Sequence, residues 1–162
     1  MASTSTNKQP LLVDNVLHEI VDLNGKAVLP GSGVNVGTGP NSAVLVVDGS
    51  NGDGCIIESV YALARKKEYT IKLYISTAND YLRPQQGMYI GGFKSSNEGD
   101  GKLTEWLEMP RILAPVPHTS NEQQFRALYL PRRKTLWAAV EAENADDNVT
   151  EAPLLGVQGG WY

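Results

Sequence analysis

The clearest periodicity lies in residues 69–76 (YTIKLYIS), where Tyr69, Ile71, Leu73 and Ile75 alternate with Thr70, Lys72, Tyr74 and Ser76. Strict period-two alternation of β-branched and aromatic residues predicts a half-buried antiparallel strand. Residues 55–65 (CIIESVYALAR) precede it, with Ile57, Tyr61 and Leu63 on one parity and Ile56, Val60, Ala62 and Ala64 on the other. With Lys66-Lys67-Glu68 as the turn, residues 55–76 read as a β-hairpin.

Other segments follow the same pattern more weakly. Residues 11–23 (LLVDNVLHEIVDL) show neither a clean period of two nor a full helical stripe. Their Val and Ile content and the following Asn24-Gly25 favour extended structure that closes in a turn. Residues 43–48 (AVLVVD) form a short apolar run read as a buried strand, followed by a Gly/Asp/Asn turn. Short strands are expected at 34–36, 88–93, 103–109, 124–130, 135–143 and 153–162. Pro110, Pro115 and Pro117 forbid a helix through that stretch. Two long connections, 24–42 and 77–102, separate these strands. About eight short strands with turn signals between them predict an all-β chain. The expected architecture is a single antiparallel β-sandwich, of jelly-roll or immunoglobulin-like type, over residues 11–162. Residues 1–10 are polar and are read as a flexible N-terminal arm, either a frayed end or a segment that orders on a neighbouring subunit.

Composition sharpens this picture mainly by exclusion. The 162 residues fit one domain, and Gly 16 and Pro 9 match a turn-rich chain. The formal net charge of −4 argues against a general nucleic-acid binder, which carries a basic excess. One cysteine, Cys55, excludes an internal disulfide framework, and two histidines, His18 and His118, limit metal chemistry. No apolar run approaches the roughly 18 residues of a membrane span. Residues 1–8 lack an apolar signal core, so synthesis in a cytoplasm and retention there are expected.

Individual motifs add little chemistry. Gly31-Ser-Gly33-Val-Asn-Val36 lacks both the last glycine and the strand–helix context of a dinucleotide loop. His18-Glu19 begins like a zinc-protease motif, but Asp22 stands where the second histidine is needed. Asp48, Asn51 and Asp53, and again Asn97, Glu98 and Asp100, offer oxygen ligands without the order of a calcium loop, and are read as turn chemistry. Trp106, Trp137 and Trp161 with Tyr74, Tyr81 and Tyr89 could form a sugar-binding platform, but aromatics also fill cores and interfaces. Arg65-Lys66-Lys67 and Arg132-Arg133-Lys134 sit at expected hairpin tips. There they either keep a turn solvated or make salt-sensitive contacts with an acidic partner. No catalytic, cofactor-binding or metal residue is assigned.

Residues 52–62 (GDGCIIESVYA) and 69–76 (YTIKLYIS), with Trp106-Leu-Glu-Met-Pro110 and the closing Gly159-Gly-Trp-Tyr162, resemble the small β-rich structural proteins of tailed bacteriophage virions. The resemblance extends over residues 43–162, and residues 77–102 are longer than its corresponding connection. It implies a non-enzymatic virion protein without a cofactor. The leading expectation is a capsid decoration, or cement, protein that bridges capsomers as a trimer. Its partners are then the major capsid protein or other virion proteins, with no nucleic acid and no membrane. The alternatives are a tail, neck or fibre adaptor of the virion and, in another class, a calcium-assisted carbohydrate-binding β-sandwich. The candidate interface residues are Leu11, Leu12, Val13, Tyr81, Tyr89, Phe93, Arg132, Arg133, Lys134, Trp161 and Tyr162.

Overall fold

The structure is a computed structural model and describes residues 15–28, 43–51, 53–80, 82, 86–97, 101–109, 127–141 and 149–161. The arm 1–10, Leu11 to Val13, the strand expected at 34–36, Tyr81, Glu98, Asp100, His118 and Tyr162 lie outside the described residues.

Among the described residues ten strands form two sheets that pack face to face, which is a β-sandwich. The first sheet runs β1 (Asn15–Asp22), β10 (Leu154–Trp161), β4 (Gly54–Leu63). The far edge of β4 is shared by β7 (Leu103–Glu105) at one end and β8 (Leu128–Pro131) at the other. The second sheet runs β9 (Thr135–Glu141), β5 (Thr70–Ser76), β6 (Met88–Lys94). The free edge of β9 is likewise shared, by β2 (Ala27–Val28) and β3 (Val44–Asp48). The two-residue pairing of β2 with β9 is parallel, and the remaining pairings are antiparallel.

The expected hairpin over 55–76 does not form. β4 pairs with β10, β7 and β8, whereas β5 pairs with β6 and β9, so the basic segment 64–69 is an arch from one sheet to the other. The reason is burial. Cys55, Ile57, Val60 and Ala62 of β4 and Ile71 and Leu73 of β5 all enter one core, and two apolar faces satisfy each other best across the layer. Arg132-Arg133-Lys134 is also an inter-sheet arch, from β8 to β9. Because Gly54 pairs with Pro131 while Leu63 lies at the other end of β4, the two basic arches occupy opposite ends of the sandwich.

The inner face of β4 changes parity partway along. In the pairing with β10, Ile57 faces Gly159 and Ser59 faces Gln158, leaving Glu58 as an extra residue. Such a β-bulge bends a strand and re-aims its side chains. Here it points Cys55 and Ile57 inward, then Val60 and Ala62 inward, and leaves Ile56, Ser59, Tyr61 and Leu63 for the outer face.

The long connection 77–102 is partly ordered by packing. It contains β6, and its Leu82 is fully buried with Ala43, Tyr74, Trp137 and Ala139 on the outer face of the second sheet. Thr135 and Trp137 fix the start of that segment, since Thr135 Oγ1 and Trp137 Nε1 both bond to the Ala78 carbonyl.

Trp106 closes one side of the sandwich. It follows β7 at the edge of the first sheet, is buried, lies against Gly91 of β6, and stacks on Phe93 with ring centroids 6.2 Å apart and an 11° interplanar angle. Trp106→Ala should therefore lower unfolding free energy by about 3–5 kcal/mol, the usual loss for a large buried ring. Urea titration checks this; a loss below about 1 kcal/mol would show that the ring is not needed to close this side.

Candidate interaction surface

The outer face of the first sheet is built from alternate residues of three adjacent strands. β1 contributes Val16, His18 and Ile20; β10 contributes Gly160, Gln158 and Gly156; β4 contributes Ile56, Ser59 and Tyr61, in matching register. Val16 is 81% exposed and Ile20 50% exposed, so an edge strand presents two large apolar side chains to solvent.

Between them the surface is fixed by a polar pair. The Tyr61 ring lies directly over Gly156, where a Cβ would overlap the ring, and its hydroxyl reaches His18 Nε2 at 2.8 Å. Only glycine leaves the space for an aromatic to lie flat across the strand, as in the aromatic cover of strand glycines. Which partner donates depends on the imidazole tautomer. On the far side of β4, the Ser59 hydroxyl donates to Glu105 Oε1 at 3.1 Å.

Towards the arch 64–69 the same face dips into an open depression of about 440 Å³, floored by Leu63 and Leu154 and rimmed by Arg65, Lys66 and Glu151. The rim charges are matched. Arg65 holds Asp22 at 3.1 Å, and Lys66 holds Glu151 at 3.0 Å. Burial pushes Asp22 up, but the Asn24 backbone N–H, the Arg65 guanidinium and the Asn24 amide outweigh it and hold the carboxyl below its ordinary value.

The residues expected at an interface are dispersed. Tyr89 is exposed on the outer face of the second sheet, tilted against the buried Tyr74 at 5.8 Å, with Lys72 Nζ 6.0 Å from its ring centroid. Lys72 in turn bonds Glu141 at 2.7 Å. Burial, with smaller effects of Tyr89 and Glu141, pushes the Tyr74 phenol up to about 12. Phe93 and Trp161 pack against the core. Arg132, Arg133 and Lys134 form the arch between β8 and β9.

The alternative chemistries do not assemble. Trp106, Trp137 and Tyr74 are buried, so they form no exposed aromatic platform. Asp48 Oδ1 accepts the Ser50 N–H within its turn, and Asp53 faces Arg132 at 3.6 Å. Among the described residues no group of three or more His, Cys, Asp or Glu could hold a metal ion. Cys55 is buried, and burial pushes its thiol up to about 12, which keeps it protonated and unreactive.

Sequence reading missed Val16, Ile20 and the His18–Tyr61 pair. The signal was present in Val16-x-His18-x-Ile20, but Leu17 and Val21 on the opposite parity hid the alternation.

Three outcomes are expected. Gly156→Ala should displace the Tyr61 ring and cost about 1–3 kcal/mol. Tyr61→Phe removes only the hydrogen bond and should cost about 0.5–1.5 kcal/mol. Denaturant titration of both variants checks the order, and equal losses would contradict close packing of the ring on Gly156. Because the folded Asp22 carboxyl sits below its unfolded value, its contribution is fully present above the ordinary carboxylate range, about pH 4, and fades as pH falls through the folded value. Asp22→Asn should thus lower stability at pH 7 by no more than about 1 kcal/mol, since the pair is solvent-exposed. The deficit should vanish in acid, and one that persists at pH 2 would contradict the assignment. No family model, curated protein or solved structure matches the chain.

Proposed function

We propose that the chain is a non-enzymatic structural protein of a tailed-phage virion, a head decoration module that docks through the outer face of β1, β10 and β4. One observation carries the docking face: Val16 and Ile20 stand exposed on an edge strand, beside an aromatic pinned by His18. Exposed apolar residues on a rigid sheet gain free energy when a partner removes them from water. Tyr61, itself only 8% exposed, holds the strands between them in place, so docking has little ordering to offset.

The virion setting rests on the likeness of residues 52–62, 69–76, 106–110 and 159–162 to such proteins. The mode of action is mechanical. Each subunit buries this face between capsomers, and the shell gains contacts that its own subunits lack. A trimer places three such faces at one junction of the lattice, in keeping with the closed symmetry of most assemblies.

Val16→Gln combined with Ile20→Gln tests the reading. The pair should weaken binding to expanded empty shells at least tenfold, about 1.4 kcal/mol. Thermal unfolding should change little, because both side chains point to solvent. Unchanged shell affinity would exclude this face. Copy number per virion separates the position: hundreds support decoration, whereas about six or twelve place the protein on the tail or neck axis.

A further inference from the structure

Three features mark the arch Arg132-Arg133-Lys134. First, its backbone is clamped within the turn, whereas the arch 64–69 is held at its two ends, by Ala64 with Lys102 and Gly101 and by Tyr69 with Ser95. The Gly49 N–H donates to the Lys134 carbonyl at 2.9 Å, the Arg133 N–H to the Gly49 carbonyl at 3.3 Å, and the Lys134 N–H to the Pro131 carbonyl at 3.0 Å. Residue 49 must be glycine for this clamp to close, because a Cβ there would overlap the Lys134 carbonyl.

Second, Arg133 sits at φ 64°, in the left-handed region that disfavours side chains. Glu151 is the one other non-glycine residue with positive φ among those described, and its carboxylate is accounted for by Lys66. Arg133 is exposed, and no described carboxylate lies within ion-pair distance of its guanidinium or of the Lys134 ammonium. Strain held at an exposed charged residue, where glycine would sit without strain, points to a use for the side chain.

Third, the charges are not matched locally. Around the opposite end, Arg65, Lys66, Lys72 and Lys94 pair with Asp22, Glu151, Glu141 and Glu68, and of that arch's three cations Lys67 alone has no described carboxylate within ion-pair distance. The Arg132–Lys134 arch has one described carboxylate, Asp53, at 3.6 Å from Arg132 and largely exposed.

We infer that the Arg132–Lys134 arch is a preformed cationic tip that grips carboxylates on a partner protein. Arginine offers a planar fork matched to a carboxylate, and a fixed backbone aims it without further ordering. The tip spans one turn, and the chain carries a net charge of −4. A compact acidic patch suits it better than a polyanion, which favours an extended basic stripe. The inference concerns a site separate from the face of β1, β10 and β4, and its failure would leave the decoration reading standing.

The test uses the full chain, a hexaglutamate peptide as probe, and amide shifts read by two-dimensional NMR. At about 20 mM salt the amides of residues 131–135 should shift on titration, and the effect should fade by about 300 mM as screening sets in. Residues 65–67, equally basic in sequence, should not shift. Arg133→Gly should keep or raise the melting temperature and weaken peptide binding at least threefold. Shifts at neither arch, or equal shifts at both, would overturn the inference. So would a lower melting temperature in Arg133→Gly, which would make the side chain structural, or tighter binding of a short DNA duplex than of the peptide.

Discussion

Strand β4 is hydrogen-bonded along both edges, to β10 on one side and to β7 and β8 on the other, and the first sheet hangs from it. A strand so placed has no freedom to slip, since a one-residue shift would exchange its two faces. The extra residue at Glu58 is therefore decisive. Without it, the parity of Cys55 and Ile57 would carry Ser59 and Tyr61 into the core and turn Val60 and Ala62 out. With it, the core receives four apolar side chains, and Tyr61 is free to cross Gly156 and meet His18.

The same economy governs the connections. Two apolar faces, one from β4 and one from β5, fill the layer between the sheets, so the short basic segments after β4 and after β8 must cross from one sheet to the other. The sandwich is sealed differently at each margin. Trp106 fills the side between β7 and β6, and the second sheet carries a small apolar cluster of its own under Leu82. Large apolar side chains stay exposed at Val16 and Ile20 on the outer face of the first sheet, at Met88 and Tyr89 on β6, and at Leu103 and Leu107 in and after β7.

Much of this was legible in the residues. The alternation of 69–76 announced a strand with Ile71 and Leu73 inside, and residues 135–143 announced another, which is described as far as Glu141. Apolar residues on both parities of 55–65 were the trace of the bulge, but period-two reading has no term for an inserted residue. Alternation also says nothing of which strand lies alongside, so adjacency in sequence was read as pairing, and an arch was taken for a hairpin. The candidate surface was harder. Aromatic type drew attention to tryptophans that turned out to be buried, whereas the exposed pair on β1 consists of ordinary Val and Ile. Tyr61 gains its role only from Gly156 and His18, residues distant in sequence and joined by strand register.

A reconstruction of the intact virion at side-chain detail tests the docking face most directly. Docking as proposed predicts Val16 and Ile20 buried against a neighbouring capsid subunit at capsomer junctions, with the outer face of β5, β6 and β9 towards solvent. The opposite arrangement, with β1 open to solvent and Tyr89 of the second sheet at the contact, would contradict it.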